Sequence, residues 1–167
     1  MGKGRIGIQE PLNSGINEVT AVEKLVFQDK VFSPIEDILS VFEQVKGIDD
    51  ITGAVFRLYS GAFDRLPDSD GLRNWINANT SKAKTFGETA EEFVKSEEFK
   101  VTYGDNLSDE AFLTALYNNV LGRDPDQDGL NHYLGLLQSG KARGALLIDF
   151  SESPENKVNF TEVTGLG

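Results

Sequence analysis

Cysteine is absent from this 167-residue chain, and histidine and tryptophan occur once each. The first absence excludes disulfides and thiolate metal sites, and it suits a protein exported without oxidative folding. A single imidazole, His132, excludes a multi-histidine metal site and leaves a histidine-based catalytic triad without support. Basic residues are scarce: 16 Lys and Arg stand against 27 Asp and Glu, a net charge of −11. Nucleic acid and anionic membranes both reward Lys and Arg, so neither is expected as a partner. Solubility, cationic partners and divalent cations are favoured instead. No eighteen apolar residues run together, so no membrane insertion is expected. Val22 to Phe27 is interrupted by Glu23 and Lys24 and makes no secretory h-region, so no cleavable signal peptide is expected. Phosphate loops and nucleophile elbows are missing as well.

What remains is enough for a proper core, with 39% hydrophobic and 10% aromatic residues. Residues 1–32 read as an N-terminal arm. It is glycine-rich at first and then carries Val22–Phe27, a polar Gln28-Asp29-Lys30 and Val31-Phe32, the pattern of a short strand or hairpin. Helices follow from Ser33-Pro34-Ile35-Glu36, a start signal with a capping serine and proline at the first helical position. Ile35, Ile38, Leu39, Phe42 and Val45 then fall on one face, with Gly47 as the stop. Asp50, Asp68, Ser108 and Ser153-Pro154-Glu155 open further helices, and others are expected over Glu88–Tyr103, broken near Ser96, over Gln127–Leu137 and over Ala142–Phe150. The helical domain spans 33–160, and 161–167 reads as a C-terminal tail.

The chain repeats itself. Tyr59, Arg65, Pro67, Asp68, Asp70, Gly71 and Leu72 recur, each 58 residues later, as Tyr117, Arg123, Pro125, Asp126, Asp128, Gly129 and Leu130. Trp75 and Tyr133, and Ile76 and Leu134, extend the register. Phe93-x-x-Ser96-x-Glu98 recurs as Phe150-x-x-Ser153-x-Glu155 at an offset of 57, one residue having been lost between. The fold expected is mainly α: a two-copy helix-turn-helix repeat, about 50–103 and 108–160, forming a compact helical bundle with the N-terminal hairpin or arm.

Leu116-Tyr117-x-x-Val120-Leu121-Gly122-Arg123-x-Pro125-Asp126-x-x-Gly129-Leu130, with Phe150-Ser151-Glu152-Ser153, resembles the signature of domain of unknown function 4214. Arg57-Leu58-Tyr59 through Trp75 is similar to the variant half that precedes it, and the resemblance covers roughly Asp50 to Phe160. It implies an all-α domain of exported, often calcium-repeat-associated, bacterial surface proteins, with no catalytic residues. The glycine-rich nonapeptide calcium repeats of such proteins are absent here.

The repeated turn, Arg65, Pro67, Asp68 and Gly71 with Arg123, Pro125, Asp126 and Gly129, reads first as a structural corner. Each aspartate can cap the following helix, each glycine permits close approach, and each arginine can bond helix-end carbonyls or pair with Glu98 or Glu155. The sharper reading is calcium: Asp124, Asp126 and Asp128 followed by Gly129 match the first half of an EF-hand loop. The twelfth position is Gly135 rather than glutamate, and Leu66 replaces Asp124 in the first copy, so a weak calcium site is confined to the second turn.

The function expected is a non-catalytic structural or interaction module of a bacterial extracellular or cell-surface protein, serving adhesion or matrix assembly through protein partners or self-assembly. The alternatives are a structural subunit of a larger particle, such as a virion or surface layer, and a carbohydrate-binding module whose exposed aromatics meet a glycan. No cofactor is expected beyond weak calcium.

Overall fold

The computed structural model describes residues 25–27, 30–32 and 34–165. It divides the chain into two units, residues 1–40 and 41–167. In the first, β1 (Leu25–Phe27) and β2 (Lys30–Phe32) run antiparallel with Leu25 opposite Phe32 and Val26 opposite Val31. The rest of the expected arm, residues 1–24, lies outside the described residues, as do the residues joining the two strands.

The described part is otherwise helical: α1 (Pro34–Phe42), α2 (Ile51–Phe63), α3 (Ser69–Thr80), α4 (Phe86–Lys95), α5 (Glu97–Tyr103), α6 (Asp109–Leu121), α7 (Gln127–Gln138), α8 (Arg143–Ser151) and α9 (Pro154–Thr164). Local chemistry sets most of these starts. Asp50 accepts from the Thr52 and Gly53 amides, Ser96 from Phe99, Ser108 from Ala111 and Ser153 from Asn156. Thr85 and Glu88 form a capping box, so α4 begins at Phe86 rather than at the expected Glu88. Ser96 ends α4 and opens α5, at the break expected there. α9 runs on to Thr164, into the stretch expected as a tail.

One expected helix face is corrected. α1 stops at Phe42, five residues before Gly47. Beyond it the chain tightens into short-range turns, with Gln44 N–H on the Val41 carbonyl and Val45 N–H on that of Phe42. The 3.6-residue count is therefore broken before Val45. Val41 and Val45 are buried, whereas Ile38 and Leu39 are exposed.

The second unit holds two apolar clusters that share α2. Val55 and Phe56 face Val41, Val45, Leu72 and Phe160. Leu58, Tyr59, Ala62 and Phe63 face Phe93, Phe112, Leu116, Leu146, Leu147 and Phe150. A helix serving two cores is apolar nearly all round, as Val55-Phe56-x-Leu58-Tyr59-x-x-Ala62-Phe63 is. Each fully buried Leu or Phe contributes roughly 1.5–3 kcal/mol. α4 and α8 meet closely at Gly144, whose N–H donates to Glu91 Oε1 at 2.8 Å. A Cβ there would lie 2.7 Å from the Glu91 backbone nitrogen.

Candidate functional site

The two turns leave α2 and α6 in the same way. Asp64 and Gly122 end these helices in the left-handed region, at φ 50° and 67°. Asp68 and Asp126 then take extended backbone angles (φ −75°, ψ 152° and φ −77°, ψ 158°) and accept at 2.8 Å from the amides of Gly71 and Gly129, opening α3 and α7. Between them lie Pro67, buried, and Pro125, half-buried, where no amide is available to continue a helix. A Cβ on Gly129 would collide with the Tyr117 hydroxyl, and one on Gly71 would lie 2.9 Å from the Asp68 carboxylate. Glycine at both positions lets these side-chain oxygens approach the helix closely.

The arginines tie each turn to a helix further on. Arg65 Nε donates to Glu98 Oε1 at 2.6 Å in the first turn of α5, Nη2 to the Tyr59 hydroxyl and Nη1 to the Leu66 carbonyl. Arg123 Nε and Nη2 donate to the two oxygens of Glu155, at 2.7 and 3.2 Å, in the first turn of α9. Each guanidinium sits 5.0 Å from the ring centre of its tyrosine, Tyr59 or Tyr117. Those rings meet Phe93 and Phe150 edge-on, at 5.4 and 4.9 Å. Trp75 and Tyr133 close on the same two phenylalanines at 4.9 and 4.7 Å, so both pack inward rather than offering a stacking platform. His132 is exposed.

The carboxylates are held in their charged form. Burial works against ionised Asp68, but the Gly71 amide, the Tyr59 hydroxyl and the Arg65 charge outweigh it and keep its pKa below the usual carboxylate range. The Gly129 amide does the same for Asp126, with Arg123 adding to it, and the Arg123 hydrogen bond does so for Glu155. Burial pushes the Tyr59 and Tyr117 hydroxyls upward.

Asp124, Asp126 and Asp128 are not drawn together. Among the described residues no group of three or more Asp, Glu or His side chains is gathered so as to hold a metal ion. Asp124 and Asp128 are exposed, and Asp126 is turned to Gly129 and lies 3.6 Å from Arg123.

Two further groupings escaped the sequence. Arg57, 2% exposed, donates to both oxygens of Glu152 and to the Ile48 carbonyl. Its partner is 95 residues away, and no local pattern marks the pair. Beside it, a groove of about 300 Å³ opens among the end of α2, the end of α6 and α9, with Ser60, Asp64, Leu66, Asn119, Asn159 and Phe160 on its walls. An exposed leucine three residues past a helix end was the available signal.

Residues 90–160 match the family model described as Domain of unknown function (DUF4214). The match begins within α4 and ends within α9, so it takes in the second turn and leaves out the first. No curated protein matches the chain, and no solved structure does.

Proposed function

We propose that this chain is a non-catalytic structural and interaction module of a bacterial extracellular or cell-surface protein, built from two copies of one helix-turn-helix unit behind a short N-terminal hairpin. One observation carries the reading. Of the charged residues that recur, Arg65, Asp68 and Glu98 in one copy and Arg123, Asp126 and Glu155 in the other are spent on each other and on helix-end amides. Asp70 and Asp128 stand in the first turns of α3 and α7, where an acid suits the helix dipole. Acids and bases committed to architecture are not free for proton transfer on a substrate. The parallel contacts of the two turns support common descent of the copies. The acidic surface suits a protein partner or self-assembly, and the module needs no cofactor.

Antibody labelling of intact producing cells tests the placement, and a panel of glycan, peptide and ester substrates tests the absence of catalysis. Staining without permeabilisation and no turnover are expected. Staining only after permeabilisation, or a turnover lost on changing a single carboxylate, would overturn the reading.

A further inference from the structure

The groove at the end of α2 gathers three features that do not favour the free fold. Ser60 Oγ is buried without a hydrogen-bond partner. Asp64, a non-glycine residue, holds φ 50°. Leu66 is 43% exposed. At the matching positions the second copy has Asn118, exposed to water, Gly122, which takes the left-handed angle without penalty, and Asp124, also exposed. The first copy thus departs from the second in the less favourable direction at three positions, and all three line one cavity. Local departures of this kind concentrate where a surface is used.

The walls define the occupant. Arg57 and Arg65 also line the groove, but their charges are taken by Glu152 and Glu98. The Asp64 carboxylate has no ion pair among the described residues, and neither it nor the Asn159 amide has a hydrogen-bond partner there. The groove therefore offers one negative charge at Asp64, a neutral hydrogen-bonding group at Asn159, and an apolar patch at Leu66. Phe56 and Phe160 are 3% and 5% exposed, so no ring face is open for a sugar to stack on. We propose that this groove is the docking site for an extended peptide segment of a protein partner. The segment sets a lysine or arginine on Asp64 and the neighbouring apolar side chain on Leu66, and its backbone bonds to Asn159. The chain's net charge of −11 steers such a basic segment toward it. This rests on the interaction-module reading and names the kind of partner.

The test uses the purified chain and a fluorescent hexapeptide library with lysine fixed at the third position and leucine, isoleucine or phenylalanine at the fourth. A matched library carries glutamate in place of lysine. Asp64→Gly and Leu66→Asp import the residues of the second copy, so both suit the turn, and circular dichroism melts verify their folding. Anisotropy is expected to show saturable binding of lysine peptides to the parent chain, weakened by salt, absent with glutamate, and about tenfold or more weaker in either variant, a loss of about 1.4 kcal/mol. Equal binding to parent and variants would overturn the groove while leaving an interaction module that docks through another face. No saturable peptide binding to the parent would overturn the groove too, and the labelling and turnover assays then decide the module reading separately.

Discussion

Arg57 forks onto Glu152, with Nε on one carboxylate oxygen at 2.9 Å and Nη2 on the other at 2.7 Å, and the two partners are not buried alike. The arginine side chain is 1% exposed and the glutamate 25%, with Lys157 at 3.7 Å from the same carboxylate. Removing the acid strands a desolvated guanidinium. Removing the arginine leaves a carboxylate that water and Lys157 still reach, and an Ile48 carbonyl without its donor. Urea unfolding should therefore show Glu152→Ala losing about 3–5 kcal/mol and Arg57→Met about 1–3 kcal/mol. The opposite order would contradict this assignment of burial.

Gly87 and Gly144 stand 57 residues apart in register with Phe93 and Phe150, yet their surroundings differ. An added Cβ at Gly144 would meet the Glu91 side chain at 2.5 Å and its backbone nitrogen at 2.7 Å, whereas at Gly87 it would meet nothing within 4 Å. Gly144→Ala should destabilise by about 1–3 kcal/mol through forced separation of α4 and α8. Gly87→Ala, in an exposed helical position, should stabilise by about 0.4–1 kcal/mol. Thermal melts of the two variants side by side check the contrast.

The helices were legible where their causes are local. Asp50, Asp68, Ser108, Asp126 and Ser153 cap through amides two or three residues on, within reach of a sequence pattern. The glutamate partners of Arg65 and Arg123 were within reach because the repeat carries both ends of each pair. Periodicity carried the α1 face on to Val45 because it presumes a helix that continues past Phe42, and it could not tell that Val41 is buried within the helix while Ile38 and Leu39 are exposed. Arg57–Glu152 and Glu91–Gly144 were illegible because each joins segments distant in the chain, and the second copy has no matching pair to reveal them. The groove was illegible for the same reason, since α2, α6 and α9 meet only in the fold.

All four tyrosines, Tyr59, Tyr103, Tyr117 and Tyr133, are shifted upward, chiefly by burial, and Tyr103 is pushed up to about 12. The native chain thus keeps phenolic protons at a pH where the unfolded chain, with its ordinary value of about 10, releases them. Their contribution to stability is full below about pH 10 and is lost as pH rises toward the folded values. Ultraviolet titration should show little phenolate at pH 10, and then a rise that coincides with loss of helical circular dichroism. Four independent titrations near 10 with the helices intact would contradict the burial of these rings.

Whether the repeated turn is architecture or a metal loop is decided most directly by thermal unfolding with and without calcium. Asp68 and Asp126 need only an acceptor oxygen to cap α3 and α7. Asp68→Asn should therefore keep most of the stability, while Asp68→Ala should lose about 1 kcal/mol. Asp126→Asn and Asp126→Ala should rank in the same order. Calcium should leave every midpoint where it was, including that of Asp124→Ala. A saturable rise in the midpoint at sub-millimolar calcium, with Asp126→Asn as harmful as Ala and the rise abolished by Asp124→Ala, would contradict capping and make the second turn a calcium site.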